Sequence, residues 1–150
     1  MKMACRTRSA SRAASAALTA HVARTLDCSL LAQLREDPEA ALHAPNKRPR
    51  EVRSGHYVKV APSKLPQPKL IAHSAVLAAE LGFTEEMVDS DAFVGLFSGD
   101  IAAADIDDAW CTPYALTIYG EEIELSNAYG DGRAASVGEL VVDERRWELQ

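Results

Sequence analysis

The sequence predicts an α+β fold, with helices first and antiparallel strands last. Apolar residues recur at helical spacing between residues 74 and 99, and from Tyr114 onward they alternate as in a β-strand. Apolar residues make up 47% and charged residues 25% of the chain, which is sufficient for a soluble globular core.

The first segment, residues 1–26, contains five basic residues, no acidic residue, and many serines and alanines. This composition is typical of a mitochondrial or plastid transit peptide, and its alternative interpretation is an unstructured basic tail. In either case we expect these residues to take no part in the fold.

The charge distribution argues against nucleic acid as a partner. Residues 1–60 have a net charge of +6 and residues 61–150 a net charge of −12. Phosphate neutralisation requires clustered Lys and Arg, which the acidic body lacks. The cysteines and histidines show no zinc-ligand spacing, and no apolar run approaches the roughly 20 residues that a transmembrane helix needs.

Residues 27–55 are interpreted as a short helix and a flexible linker. Leu30, Leu31 and Leu34 predict a helix over residues 29–41, and residues 43–57 are basic, contain two prolines and are expected to be extended. Prolines at 62, 66 and 68 predict a polyproline-like strip, either a ligand for an aromatic groove or, as we favour, a segment laid across a neighbouring domain surface.

Two helices should follow this strip. Ser74 is a candidate N-cap, Val76, Leu77 and Leu81 predict an apolar face, and Gly82 suits a left-handed C-terminal position. For the second helix, Thr84 or Ser90 can provide the cap. Phe93, Leu96 and Phe97 should face the core, and Gly99 should end the helix.

The acidic stretch over residues 99–110 lacks the glycine and glutamate positions of a calcium-binding loop, and we interpret it as a solvated connection. Strands are predicted from Tyr114, again after a turn over residues 130–133, and finally at Trp147 and Leu149. The last of these is expected to be an edge strand.

The turn Gly130-Asp131-Gly132-Arg133 has two interpretations. Glycines let backbone N–H groups approach an anion, and an adjacent arginine suits phosphate oxygens. Alternatively, Asp-Gly is a common tight turn and the arginine is only solvated. The sequence fits neither the Walker A pattern nor the dinucleotide-binding glycine pattern.

Six blocks in their order along the chain resemble the selenoprotein O family of kinase-like protein adenylyltransferases. The blocks are HYVKVAPSKLPQPKLIAHS (residues 56–74), LAAELG (77–82), FSGD (97–100), TPYALTIYG (112–120), YGDGRAASVGE (129–139) and RWELQ (146–150). The resemblance covers roughly residues 50–150 and depends on the blocks taken together.

The resemblance implies that residues 56–150 are the N-terminal part of a kinase-like domain, an incomplete N-lobe. It implies ATP as substrate, Mg²⁺ as cofactor of the full-length family, and transfer of AMP to Ser, Thr or Tyr hydroxyls of proteins. By position, Gly130, Gly132 and Arg133 match the family's nucleotide-contacting loop. A mitochondrial location is also expected, with plastid or cytoplasm as alternatives.

The family's phosphate-binding lysine, catalytic aspartate and metal ligands have no counterpart in this sequence. We therefore expect the 150-residue chain not to catalyse by itself. The alternative hypothesis is a non-catalytic interaction module that docks through its proline strip and its exposed edge strand.

Overall fold

The structure, a computed structural model, describes residues 2–46, 48, 50–117 and 135–150, without the side chains of residues 2–8, 116 and 117. The predicted α+β class is confirmed, and the described strand pairs with a defined direction inside each sheet are antiparallel. Strands and helices alternate along the chain, however, so the sheets do not come only from its last third.

The described elements are short, apart from the first helix. In chain order they are α1 (Lys2–Thr25), β1 (Leu26–Asp27), α2 (Ser29–Ala32), a 3₁₀ helix (Ala40–His43), β2 (Val58–Val60), α3 (Ala75–Glu80), α4 (Glu85–Val88), α5 (Asp91–Leu96), a 3₁₀ helix (Ile101–Ala104), β3 (Ala109–Cys111), α6 (Pro113–Thr117), β4 (Gly138–Val142) and β5 (Arg145–Leu149). In this part of the chain, no helix combines the length and the apolar character that crossing a bilayer requires.

The chain divides into two compact units. The first contains Met1–Asp27, Pro62–Asp107 and Glu139–Trp147, and the second contains Cys28–Ala61, Asp108–Gly138 and Glu148–Gln150.

Helix α1 is part of the core of the first unit. Leu18, His21 and Val22 follow one another at i, i+3 and i+4, and all three are buried. Ser11 Oγ also donates a hydrogen bond to Asp91 Oδ2 at the start of α5, at 3.2 Å. The expectation that residues 1–26 take no part in the fold is therefore wrong: one face of the helix carries apolar side chains that need burial.

The contact between α1 and the turn after α3 requires a glycine. His21 Nε2 lies 2.8 Å from the carbonyl oxygen of Leu81, and the His21 ring meets the ring of Phe83 edge-on at 5.1 Å. Gly82 has φ of +77°, and a Cβ at this position would lie 2.7 Å from His21 Cε1. Both the backbone conformation and the close approach exclude a side chain at residue 82.

The predicted helix caps are confirmed. Ser74, Thr84 and Ser90 each accept a hydrogen bond from the backbone N–H three residues later, so the two alternatives for the second cap begin two separate helices. Gly82 and Gly99 both have positive φ, as their helix-ending role requires.

The predicted apolar faces are only partly correct. In α3, Ala78 and Leu81 are buried while Val76 and Leu77 are exposed. In α5, Phe93 is buried whereas Phe97 is exposed, although their rings still touch at a centroid distance of 4.7 Å. Helices of four to six residues bury a narrower face than a periodic pattern suggests.

The three-stranded sheet of the first unit has the order β1-β4-β5, so β5 lies at its edge, as predicted. In the β1–β4 register Asp27 lies opposite Glu139, and like charges in that position repel. Arg146 on β5 contacts both carboxylates, at 2.8 Å and 3.2 Å. A single guanidinium therefore offsets the repulsion within the sheet.

The connection between β4 and β5 is a tight two-residue turn. It contains only Asp143 and Glu144, both with positive φ as a type I′ turn requires, and Arg145 and Arg146 belong to the strand.

In the second unit, β2 pairs with β3 in the register Val58–Cys111 to Val60–Ala109.

The expectation of a solvated connection over residues 99–110 is wrong at both ends. Ile101 and Ala104 of the 3₁₀ helix are buried, and the stretch ends in strand β3. The acidic residues lie between buried apolar positions, which the charge pattern concealed.

The helix predicted over residues 29–41 is limited to Ser29–Ala32, followed by the separate 3₁₀ helix Ala40–His43. None of the α2 residues is buried. An Asp-Pro pair at residues 37 and 38 interrupts the pattern, because the residue before a proline is disfavoured in a helix.

We predict that Leu18→Ala lowers the free energy of unfolding by about 2–4 kcal/mol, because it leaves a cavity beneath α1. Urea denaturation measures the change. Leu65→Ala removes the same atoms from an exposed position of the same unit and should cost less than about 0.5 kcal/mol. Equal effects of the two substitutions would show that α1 is not packed on the core.

Candidate functional site

The three residues predicted to contact a nucleotide, Gly130, Gly132 and Arg133, lie outside the described residues, as does the turn that contains them. The described residues on either side of this segment both belong to the second unit. They end with α6 and begin again at Ala135.

The chain at Ser136 is attached to strand β3 by a pair of backbone hydrogen bonds. Trp110 N donates to Ser136 O at 2.9 Å, and Ser136 N donates to Trp110 O at 2.8 Å. This antiparallel bridge comes three residues after Arg133 in the sequence. The Gly-Asp-Gly-Arg sequence therefore leads directly into an anchored position on a buried strand.

Helix α6 replaces the strand predicted from Tyr114. Thr112 Oγ1 accepts a hydrogen bond from Ala115 N at 3.2 Å, and Pro113 occupies the first helical position. Proline is favoured there because its missing N–H would be unpaired anyway. The alternation of apolar residues was a correct observation, but the Thr-Pro start signal outweighs it.

Trp110 is supported from the other side by Tyr57, whose ring meets the indole edge-on at 6.1 Å. Tyr57 is buried and comes just before β2, where Val58 and Val60 alternate with the half-buried Lys59. The alternation Val58-Lys59-Val60 is a short strand signal, and it begins directly after the predicted linker over residues 43–57.

A buried polar cluster, here called the Asp37–Arg50 cluster, lies in the same unit. Arg50 Nη2 donates to Asp37 Oδ2 and, at 3.0 Å, to Asn46 Oδ1. Asn46 Nδ2 in turn donates to the carbonyl oxygens of Ala40 and Lys59, at 3.0 Å and 3.2 Å. The cluster connects the segment expected to be a solvated linker to strand β2.

Asp37 and Arg50 compensate each other's charge in this cluster, but the hydrogen-bond donors of Arg50 are only partly satisfied by the described residues. Burial acts to raise the pKa of Asp37, but hydrogen bonds from Arg50 and from Glu39 N, with the charge of Arg50, outweigh it and hold that pKa below its ordinary value. Arg50 Nε and Nη1 are buried and form no hydrogen bond with the described residues. The cluster thus depends on Asp37 as the counter-ion of a buried cation.

Sequence reasoning missed this cluster. The Asp-Pro pair at residues 37 and 38 was an available turn signal, since Asp37 Oδ1 accepts from the backbone two residues later. Nothing in the sequence indicated Arg50, because it lies thirteen residues away within a run of basic residues.

The described part of the second unit has the chemistry of a scaffold. Burial raises the pKa of the Cys111 thiol to about 11, so the thiol is protonated at neutral pH and is a poor nucleophile, although the charge of Arg50 acts in the opposite direction. The described residues contain no group of three or more His, Cys, Asp or Glu side chains suited to a metal ion.

Comparison with known proteins identifies the family. The chain is 36% identical over 104 residues to a protein nucleotidyltransferase YdiU from Tolumonas auensis, covering 69% of this chain. It is 33% identical over 126 residues, or 83% of its length, to the protein of the same name from Azoarcus, and 37% identical over 105 residues to that from Xanthomonas oryzae. The chain belongs to the protein nucleotidyltransferase YdiU family. The YdiU proteins and selenoprotein O form one family, so the predicted resemblance to selenoprotein O is confirmed.

The chain spans about a fifth of the length of these relatives, between 19% and 22% of the three proteins named. No protein-family model matches the sequence, and no solved structure matches it. Membership of the YdiU family therefore rests on the curated relatives.

We predict that Asp37→Asn destabilises this YdiU-family chain by about 3–5 kcal/mol, because it leaves Arg50 buried without a counter-ion. The folded pKa of Asp37 is lowered, so its contribution is present above its ordinary value of 3.8 and is lost as the pH falls below it. Urea denaturation at neutral pH and near pH 3 measures both effects.

Glu51→Gln, which breaks the exposed pair with Arg53, is the control and should change stability by less than about 1 kcal/mol. A value near zero for Asp37→Asn would contradict the assigned role.

We also predict that Cys111 resists alkylation in the native protein. At pH 8 a thiol with a pKa of about 11 is roughly 0.1% ionised, so iodoacetamide should modify the exposed Cys28 at least about a hundredfold faster. Peptide mass spectrometry measures each rate, and in urea the two rates should converge. Rapid native labelling of Cys111 would show that β3 is accessible.

Proposed function

We propose that this chain is part of an ATP-dependent protein adenylyltransferase, in which Gly130, Gly132 and Arg133 contact ATP phosphates. The observation that carries the proposal is the identity of 33–37% to proteins named protein nucleotidyltransferase over most of this chain. The proposal also contains three more specific parts: ATP as the nucleotide, the contacts to its phosphates, and a kinase-like N-lobe. These three parts rest on the family resemblance.

In the proposed reaction a Ser, Thr or Tyr hydroxyl oxygen of a protein attacks the α-phosphorus of ATP. A new oxygen–phosphorus bond forms, the bond to the β,γ-diphosphate breaks, and pyrophosphate leaves while the hydroxyl proton passes to a base. Such transfers depend on several positive groups that stabilise the charge on the phosphates.

Within this scheme the Gly-Asp-Gly-Arg turn would supply backbone N–H groups and one guanidinium. The Trp110–Ser136 hydrogen bonds support this role, because they anchor the chain three residues after Arg133 on a buried strand. A binding group on an anchored segment loses less conformational freedom when the ligand binds.

Mg²⁺ is the cofactor expected from the resemblance. The described residues provide no cluster that fits it, so the proposal assigns no metal ligand and no metal-dependent step to them. One arginine is a small part of the charge that nucleotidyl transfer requires, and we therefore propose that the 150 residues alone are inactive.

The alternative is a non-catalytic module that docks on another protein through the proline strip and the edge strand. The exposure of Leu65 and Leu70 in the strip favours it. The edge strand gives weaker support, because its exposed residues include Arg145, Arg146 and Glu148, and charged edges resist strand addition.

The test uses a chimera in which this chain replaces the matched region of the Tolumonas auensis protein. We predict that Arg133→Ala weakens ATP binding about 10- to 100-fold in isothermal calorimetry, since it removes charge-assisted hydrogen bonds. Arg53→Ala is the matched control, because Arg53 is exposed and its ion pair among the described residues is with the nearby Glu51, which is also exposed. If Arg133→Ala leaves the ATP affinity of the chimera unchanged, the segment is an ordinary turn and not a phosphate contact.

Transfer is measured separately with ATP labelled at the α-phosphate. The chimera should label protein and the 150-residue chain should not. Labelling by the isolated chain would contradict its proposed inactivity, and failure of a folded chimera to label any protein would contradict the proposed function.

A further inference from the structure

The longest exposed apolar stretch in the described chain runs from Leu65 to Leu77 and is here called the apolar strip. It contains five of the nine large apolar side chains that are exposed among the described residues, with Ile71 92% and Val76 72% accessible. The five are Leu65, Leu70, Ile71, Val76 and Leu77. Such concentrations of exposed apolar surface mark sites of interaction.

The strip is fixed at both ends although it is uncovered between them. At its start Leu65 N donates to Ser98 O at 2.9 Å, next to a salt bridge of 2.7 Å between Lys64 and Asp100. Gly99 permits this contact, because a Cβ there would lie 2.4 Å from Ser63 O. At its end Ser74 caps α3. The strip is therefore held in place by the first unit.

Between these anchors the backbone has no partner among the described residues. Residues 66–73 form no hydrogen bond with any of them, and the backbone bends at Pro66 and Gln67, with φ of +49° at Gln67. Pro66 and Pro68 restrict φ at their own positions. A stretch that is anchored at both ends and restricted by two prolines loses less conformational entropy than a free chain when a surface covers it. Its exposed apolar side chains, and its N–H groups that bond no described residue, are both available to that surface.

The identity of the covering surface follows from the relatives. The match to the Tolumonas auensis protein covers 69% of this chain and so must include the strip, yet it covers only 19% of that relative. Four-fifths of a full-length relative is thus polypeptide that this chain does not contain. Lys69 is the only charged residue of the strip, so a largely apolar surface with hydrogen-bond acceptors is complementary to it.

We infer that the apolar strip is an internal docking surface of the full-length nucleotidyltransferase, covered there by the part of the polypeptide outside the matched region. This inference rests on the proposed function only in taking the full-length relatives as the intact form. The occupant is a segment of the same polypeptide, and a separate protein partner is an outcome of the test.

Hydrogen exchange provides the first test. In the 150-residue chain the amides of residues 69–73 should exchange nearly as fast as in an unstructured peptide. The aligned stretch of the full-length Tolumonas auensis protein should exchange at least about tenfold more slowly, because its backbone is covered. Fast exchange in the relative as well would overturn the inference.

Substitution provides the second test, in the chimera described above. Ile71→Lys combined with Val76→Lys should lower the Tm of the chimera by roughly 5 °C or more, but change that of the 150-residue chain by less than about 1 °C. Leu42→Lys is the control, since Leu42 is 81% exposed and lies outside the strip, and it should leave both Tm values unchanged. An unchanged Tm in the chimera would show that the strip stays exposed or serves a separate partner, and would overturn the inference.

These outcomes are independent of the proposed function. Neither readout involves ATP or transfer, so a covered strip in a protein without nucleotidyl transfer would refute the function and leave the inference intact. The exchange measurement on the natural relative decides the inference even if the chimera does not fold.

Discussion

Helices α4 and α5 of the first unit depend on their packing against α1. They contain four and six residues, and isolated helices of that length are not stable in water. Leu18, His21 and Val22 supply one continuous face on which such pieces can bury their apolar side chains. Local hydrogen bonds determine where each short helix begins, but the long helix makes their burial possible.

The parts of the fold that were predictable from the sequence have local causes. Ser74 and Gly82 each act within a few residues of themselves, so their cap and left-handed roles could be inferred from their neighbours. The role of α1 could not, because the burial of His21 is determined by Leu81, sixty residues away. The composition of residues 1–26 shows that this segment is basic and free of acidic residues, but it does not indicate which face of helix α1 is buried.

The candidate site shows the same division. The interpretation of Gly130, Gly132 and Arg133 depends on the family resemblance, since four residues cannot distinguish a phosphate contact from a turn. The Asp37–Arg50 cluster was not predictable, because its partners are brought together by chain folding across a segment with no periodic pattern. At Thr112 and Pro113 the helix-start signal is local, but the alternation of apolar residues that follows it is equally typical of a strand.

The docked helix α1 has a consequence for how the protein could be sorted in a cell. A mitochondrial address stays a prediction, but an import receptor that reads an amphipathic presequence needs the same apolar face that holds Leu18 and Val22 in the core. Recognition and folding would then compete for one surface, and the outcome would depend on which happens first. Cleavage near Asp27 after import would remove Leu18, His21 and Val22 from the core. A mature form that keeps this fold must therefore retain the C-terminal half of helix α1.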